Sequence, residues 1–281
     1  MTPAGLQLLA QQVEQDSRIE SQIVLARRTG TPINELVGQT IPVLTEGVLY
    51  GYDAGDGTVR WNRFMGFETH YFPQWSDEDN RDSLIVSDRK NHAIMKLNAA
   101  NGAIVWRTEI GQPFANPCVT SDKIVVTTES GIVVGLENAT GNTFASVQLP
   151  QETSVAATAS SRYPFFYQPG DYSNLYVLDA NNLECIEVVY LGHSPGSLTV
   201  PVLDWSGYVA VLINQVDYCG MHLFKSSGGE NVPPGLGLVK TQVLLRLTNG
   251  HISNPLVKVG RARYLATVSY THLTLPTIYS V

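Results

Sequence analysis

Apolar and polar residues alternate with a period of two along most of the chain. Segments such as IVVGLE from Ile132 and LYVLDA from Leu175 are short and rich in Val, Ile, Leu and Tyr. This alternation predicts half-buried β-strands. Helical repeats of similar length would instead place apolar residues every three to four positions. The pattern therefore predicts a protein built from short strands.

One unit of sequence occurs five times along the chain. Each copy has a strand-like run ending in an aliphatic–acidic step, a tight turn and a second strand-like run. The copies occupy residues 47–61, 94–106, 132–146, 175–189 and, in degraded form, 221–232. Their turn residues align at Gly57, Gly102, Gly141, Asn182 and Gly229, at spacings of 45, 39, 41 and 47 residues. Gly or Asn there suits a left-handed turn residue between antiparallel strands.

A further short run with a proline at its start precedes several of these units. The prolines are Pro42, Pro117, Pro201 and Pro255. Four short antiparallel strands repeated at this period are typical of a β-propeller blade. We therefore predict an all-β fold, a propeller of four-stranded blades with about five blades and part of a sixth. A β-sandwich is the alternative, but it does not normally show five aligned copies.

The two ends of the chain depart from this pattern. In residues 1–36, helical spacing is followed by Leu6, Leu9, Val13, Ile19 and Ile23. This predicts an N-terminal helix and linker, either connecting to the propeller or ending an upstream coiled coil. At the other end, residues 268–277 equal the translation of a transposase-based sequencing-library adapter, and residues 278–281 fit an index and the following adapter bases. We expect 268–281 to be a non-native tail and 37–267 to be a truncated propeller.

Charge and composition exclude some classes of partner. The formal net charge is −7 and no basic stripe is present, which argues against a nucleic-acid partner. No run of about 18 apolar residues is available, so we predict no transmembrane segment in this chain. Cys118, Cys185 and Cys219 are far apart and form no CxxC pair, so we predict buried free thiols.

The turns around Gly57 and Gly102 resemble the PQQ-like (quinoprotein alcohol dehydrogenase-like) propeller repeat, with consensus LYALDAxTGxxxW. The sequences YGYDAGDGTVRW and MKLNAANGAIVW keep its Asp or Asn, its Gly and its Trp. In that family the Trp packs between neighbouring blades, so the resemblance implies a structural, blade-docking role for Trp61 and Trp106. The third copy departs from the consensus with Ala145, next to Phe144, and the fourth departs with Ile186.

Catalytic members of the family use Ca²⁺-bound PQQ and an Asp base, and no such set stands out in this sequence. Asp53 and Asp56 suit a hairpin turn, residues 76–82 a solvated loop, and the GHSPGS segment at 192–197 a structured turn. We assign no catalytic, cofactor-binding or metal-binding residue. The resemblance, which extends to outer-membrane assembly-factor propellers, implies a non-catalytic scaffold with a protein partner, associated with the periplasm or cell envelope. The alternatives are a fragment of a PQQ/Ca-dependent quinoprotein dehydrogenase and a sensor domain.

Overall fold

The computed structural model describes most of the chain from residue 39 onward. The described ranges are 39–67, 71–77, 79–172, 174–191, 202–205, 207–215, 217–228 and 232–252, with four strand segments at 257–260, 263–266, 268–269 and 279–280. All of these residues lie in strands, turns or irregular segments. The predicted N-terminal helix, the 192–197 loop and Gly229 lie outside the described residues. The chain divides into two compact units, residues 1–109 and 110–281.

The first unit contains two antiparallel sheets. Sheet 1 has three strands, β1 (Thr40–Thr45), β2 (Val48–Asp53) and β3 (Val59–Phe64). Sheet 2 has four strands, β4 (Gln74–Trp75), β5 (Ser83–Asp88), β6 (Ala93–Asn98) and β7 (Ile104–Glu109). In both sheets the strands are hydrogen-bonded in sequence order, as in a meander.

The second unit contains three four-stranded sheets of the same plan. Sheet 3 comprises β8 (Cys118–Val119), β9 (Lys123–Thr127), β10 (Ile132–Glu137) and β11 (Thr143–Gln148). Sheet 4 comprises β12 (Thr158–Ala159), β13 (Phe165–Pro169), β14 (Asn174–Asp179) and β15 (Cys185–Tyr190). Sheet 5 comprises β16 (Leu203–Trp205), β17 (Tyr208–Asn214), β18 (Tyr218–Ser226) and β19 (Leu238–Asn249).

Five further short strands follow sheet 5. They are β20 (His251–Ile252), β21 (Val257–Gly260), β22 (Arg263–Ala266), β23 (Val268–Ser269) and β24 (Tyr279–Ser280). Strand β23 pairs with β20, and β24 pairs with β22. These pairings do not test the origin of residues 268–281, so the predicted domain boundaries stay predictions.

The core lies between successive sheets, which pack face to face within each unit. One buried cluster joins sheets 1 and 2 through residues such as Leu49 and Leu97. A second joins sheets 3 and 4, and a third joins sheets 4 and 5. The middle strands are covered on both faces, and β5 and β13 accordingly read as almost continuous buried runs. In sheets 2 to 4 the fourth strand is more exposed and has only one or no buried residue.

A β-bulge at one fixed place sets the register of the last hairpin in sheets 1 to 4. In sheet 1 it lies between Gly51 and Tyr52, and the equivalent step is shifted in the other three sheets. This register places one residue of the outer strand at the same position in each sheet: Trp61, Trp106, Ala145 and Glu187. The assignment of Ile186 to this position in the fourth copy is therefore wrong by one residue, because the bulge shifts the strand.

The prolines predicted to mark strand starts do not all occupy that position in the structure. Pro117 directly precedes β8, the short first strand of sheet 3, as the sequence indicates. Pro42 instead lies inside β1, opposite Gly51 of β2. Because β2 corresponds to the third strand of the other sheets, β1 corresponds to their second strand. Pro201 and Pro255 lie outside the described residues.

Candidate functional site

The hairpin turns of sheets 1 to 4 share one hydrogen-bond pattern. In sheet 1, the Asp53 N–H donates to the Thr58 carbonyl, and Asp53 O accepts from the Gly57 N–H, both at 2.8 Å. The residue that donates this second bond has left-handed backbone in all four turns. These residues, with their φ angles, are Gly57 (72°), Gly102 (68°), Gly141 (73°) and Leu183 (58°).

Asn182 is therefore not the left-handed residue of the fourth turn, and the alignment that placed it there is wrong by one position. Its side-chain Oδ1 instead accepts the Glu184 N–H at 3.0 Å. Asp56 and Asn101 make the same contact in their own turns. Leu183 is completely buried, so packing keeps a branched side chain in a conformation that usually selects glycine.

Trp61 lies at the junction between sheets 1 and 2. Its indole Nε1 donates to the Ala99 carbonyl oxygen of sheet 2 at 2.8 Å, and the ring is buried. A methyl group at Gly102 would lie 2.6 Å from this ring, and one at Gly51 would lie 2.2 Å away. The indole therefore fills a slot between two glycines of successive sheets. Trp106, at the same register position of sheet 2, is also buried.

The junction between sheets 3 and 4 also has a ring over a glycine and a hydrogen bond to a turn carbonyl, but it uses different residues. The ring of Phe144 lies over Gly135 of its own sheet, where a methyl group would be 2.4 Å from the ring. Lys123 Nζ lies 5.4 Å from the centre of that ring and donates to the Ala180 carbonyl oxygen at 2.7 Å. Ala180 holds the same place in its turn as Ala99 does in the turn of sheet 2. A lysine on the second strand thus replaces the indole N–H.

The junction between sheets 4 and 5 reverses the direction of the hydrogen bonds. Glu187 occupies the register position of Trp61, and its carboxylate accepts two backbone N–H groups of sheet 5. Oε1 accepts from Leu238 at 2.8 Å, and Oε2 accepts from Gly237 at 2.9 Å. Hydrogen bonds to an ionised acceptor are stronger than neutral ones. The three junctions therefore use an indole, an ammonium group and a carboxylate.

A cleft of about 370 Å³ opens next to Glu187, between sheets 4 and 5. Arg162, Tyr163, Asp204 and Lys225 contribute to its lining. The Asp204 carboxylate accepts hydrogen bonds from the Ser160 hydroxyl, at 3.2 Å, and from the Ser161 N–H. The cleft thus combines aromatic surface with charged groups of both signs.

The buried phenol at the base of this cleft is expected to stay protonated. Burial raises the pKa of Tyr167, a hydrogen bond with Ser160 lowers it, and the nearby negative charge of Asp204 raises it again. Burial has the largest effect. Tyr167 therefore offers a neutral hydroxyl.

An exposed aromatic patch, defined here as Phe64 and Phe67, lies on and after β3 in the first unit. The two side chains are 63% and 80% exposed. Phe64 and Phe67 meet edge to face, with ring centres 5.4 Å apart. Large apolar side chains exposed in a group mark interaction sites more often than scattered ones do.

The groups considered as calcium or quinone ligands are engaged in turns. Asp53 binds the Gly55 N–H and the Arg60 guanidinium, and Asp56 binds Thr58. In the acidic loop, Asp77 accepts the Asp79 N–H. Among the described residues, no three His, Cys, Asp or Glu side chains come together as metal ligands. These carboxylates are held by turn hydrogen bonds and do not fit the ligand set of a Ca²⁺-bound PQQ.

The prediction of buried free thiols is only partly correct. Cys118, Cys185 and Cys219 are all free, but Cys219 is buried, Cys118 is half buried and Cys185 is exposed. Cys185 begins the outer strand β15, which leaves its side chain open to solvent. Within the described residues, no helix is long and apolar enough to cross a membrane.

Comparison with known families supports the repeat assignment. Residues 45–182 match the family model described as outer membrane protein assembly factor BamB. Residues 45–182 are PQQ-like propeller repeats. The PQQ-like match begins at the end of β1 and covers β2, β3, sheets 2 and 3 and the first three strands of sheet 4, up to the turn that contains Asn182. No curated protein matches the chain.

Solved structures show the same fold at low sequence identity. BamB from Moraxella catarrhalis matches with a TM-score of 0.59 and 14% identity, over 83% of this chain and 65% of that one. The C-terminal WD40 domain of Sif2 matches with a TM-score of 0.64 and 11% identity, over 87% and 67%. Saccharomyces cerevisiae Sqt1 matches with a TM-score of 0.61 and 10% identity, over 83% and 66%. The all-β propeller fold is confirmed, and the chain spans less than two thirds of that BamB chain.

Proposed function

We propose that this chain is a non-catalytic protein-binding or assembly scaffold that works in the bacterial cell envelope. The aromatic patch of Phe64 and Phe67 carries the proposal, since protein interfaces are enriched in aromatic anchors that are desolvated on binding. The match of residues 45–182 to an outer-membrane assembly-factor family supports the envelope setting.

The physical argument is one of solvation. Two phenyl rings that meet edge to face while more than half exposed leave apolar area in water. Covering apolar area contributes about 25 cal/mol per Å², so a partner that covers these rings gains stability from each of them. The hydrogen-bonded sheets behind the patch hold β3 in place, which limits the ordering cost of binding.

Site-directed photo-crosslinking tests this proposal. The protein would be exported to the periplasm of a Gram-negative bacterium with a photoreactive phenylalanine at position 67. We expect a discrete adduct with one envelope protein, whose binding to the purified chain is then measured. The same photoreactive residue at Val105, an exposed position on β7 of the same unit, provides the control and should give no such adduct.

Matched substitutions make the test specific. Phe64→Ser or Phe67→Ser should weaken binding of the purified partner about tenfold or more, as loss of an aromatic anchor does. Val105→Ser removes a comparably exposed apolar side chain from β7 and should leave binding unchanged. Equal binding by all three variants would overturn the role of the patch.

A separate assay tests the alternative that the chain is a fragment of a PQQ/Ca-dependent quinoprotein dehydrogenase. PQQ and Ca²⁺ are added to the protein, and oxidation of alcohols or sugars is followed with a redox dye. We expect no PQQ-dependent oxidation. Oxidation that depends on both additions would overturn the scaffold proposal.

A further inference from the structure

The cleft between sheets 4 and 5 is large enough to admit a ligand group. Its volume of about 370 Å³ falls within the range of small-molecule pockets. Tyr163 lies on one wall, stacked on Phe165 with ring centres 6.0 Å apart. Gly235 lies against both rings, where a methyl group would be 2.5 Å from Tyr163 and 2.9 Å from Phe165. Tyr163 is therefore a fixed aromatic surface.

Two cationic side chains line the same cleft. The guanidinium of Arg162 lies close over Gly207, where a methyl group would be only 2.8 Å from Nη1. Lys225 Nζ lies 5.7 Å from the centre of the Tyr208 ring. Among the described residues, no carboxylate forms an ion pair with either cation.

Two carboxylates adjoin the cleft, and both are hydrogen-bonded to neutral donors. Asp204 accepts from Ser160 and Ser161, and Glu187 accepts from the backbone of Gly237 and Leu238. These hydrogen bonds hold each carboxylate against a loop beside the cleft. Since neither is bound to Arg162 or Lys225, both cations can pair with a carboxylate that enters the cleft.

We propose that this cleft binds an acidic peptide segment of a partner protein, with a carboxylate of the segment paired to Arg162 and Lys225 and a neighbouring apolar side chain packed on Tyr163 and Pro234. The inference rests on the proposed protein-binding role, but it uses a surface of the second unit that does not include the aromatic patch. It names the chemistry of the segment that the scaffold recognises.

The chain's net charge of −7 is no obstacle to such a ligand. The Debye length is about 8 Å at physiological ionic strength, so distant charges are largely screened while contacts in a partly closed cleft are not. The apolar lining favours a peptide over a small acid, because Val209, Val232 and Leu238 also line the cleft and have no counterpart in a free dicarboxylate. Arg is suited to bidentate recognition of a carboxylate.

Calorimetric titration of the whole protein tests the proposal. The probe is the capped peptide acetyl-Glu-Phe-Pro-Glu-amide, with acetyl-Gln-Phe-Pro-Gln-amide as the uncharged match and succinate as the free acid. We expect the acidic peptide to bind at least tenfold more tightly than the other two. Arg162→Ala and Lys225→Ala should each weaken that binding about tenfold, whereas Lys90→Ala, with the same change in net charge, should not weaken it.

The outcomes separate this proposal from the previous one. No measurable heat from the acidic peptide, equal binding of the Gln peptide, or full binding by the Arg162→Ala/Lys225→Ala double variant would each overturn the acidic-peptide assignment. Succinate that binds as tightly as the peptide would show a small-acid site and overturn it as well. None of these results bears on the crosslinking at position 67, so the scaffold proposal is tested independently.

Discussion

The ammonium group of Lys123 donates a hydrogen bond to the carbonyl oxygen of Ala180 at 2.7 Å, across the junction between sheets 3 and 4. Lys123→Met keeps the alkyl chain over the Phe144 ring but removes the donor and the charge. We expect the free energy of unfolding to fall by about 1–2 kcal/mol, because a partly buried carbonyl loses its partner. Urea denaturation measures this loss.

A neighbouring carboxylate provides the control for this substitution. Asp122 lies 3.9 Å from Lys123 Nζ and is 71% exposed, so their attraction is largely screened. Asp122→Asn should change stability by less than about 0.5 kcal/mol. Equal effects of the two substitutions would show that surface charge, and not the bond to Ala180, makes Lys123 important.

The position of the Trp61 ring against Gly102 predicts that the free energy of unfolding is unusually sensitive to substitution of Gly102. Gly102→Ala should destabilise the protein in two ways, through its left-handed backbone and through a contact of 2.6 Å with the indole. Gly111 is also left-handed, with φ 80°, but a methyl group there meets nothing within 4 Å. Gly111→Ala therefore measures the backbone cost alone, about 1–2 kcal/mol.

The difference between these two glycine variants isolates the packing cost. We expect Gly102→Ala to cost about 1–3 kcal/mol more than Gly111→Ala, as overpacking of a core does. Trp61→Ala should cost about 3–5 kcal/mol, and combining it with Gly102→Ala should cost less than the sum of the two. Additive losses in urea denaturation would argue against direct contact.

Glu187 is expected to protect two backbone amides from hydrogen exchange. Glu187→Ala removes both acceptors, so the Gly237 and Leu238 amides should exchange about tenfold faster or more. Glu187→Gln keeps one acceptor and should give an intermediate rate. Glu184→Ala removes an exposed carboxylate from the adjoining turn and should leave both amides unchanged. Unchanged exchange in Glu187→Ala would refute this contact.

The raised pKa values of two thiols predict that the protein loses stability at alkaline pH. Burial raises the pKa of Cys118 from its ordinary value near 9 to about 11, and it raises the pKa of Cys219 to about 11 as well. The folded state therefore favours the neutral thiols. Their contribution is complete below pH 9 and is lost as the pH rises toward 11, because the unfolded chain ionises first.

The free energy of unfolding, followed between pH 8 and about pH 11 in a reducing buffer, checks this. We expect the Cys118→Ala/Cys219→Ala variant to lose less stability over that interval than the unmodified protein. Burial also raises the pKa of the more exposed Cys185, but less strongly, so Cys185→Ala should change the slope less than the double substitution does. Equal slopes for all three proteins would contradict the prediction.

The strands and turns could be read from the sequence because they depend on local patterns. Period-two alternation and the recurrent Gly identify the hairpins that end at Gly57, Gly102 and Gly141. The sequence alignment of the fourth turn is wrong by one residue because Leu183, and not a Gly or Asn, takes the left-handed position there. Its full burial offsets a backbone cost of about 1–2 kcal/mol, and burial depends on distant residues.

The junction contacts could not be read from the sequence for a related reason. Lys123 and Ala180 are 57 residues apart, and Glu187 reaches a backbone 50 residues away. The repeat aligns Glu187 with Trp61 only when the bulge in each hairpin is known. The cleft with Arg162 and Lys225 also forms only when two sheets pack together, and neither residue belongs to a sequence motif.

The three junctions differ in their chemistry, so their contacts are not interchangeable. Sheet 2 receives an indole against Gly102, sheet 4 receives an ammonium group on the Ala180 carbonyl, and sheet 5 receives a carboxylate on two amides. A repeat moved to another of these positions would meet a partner that does not match its own contact group. The differing contacts therefore specify the order in which these repeats stack within each unit.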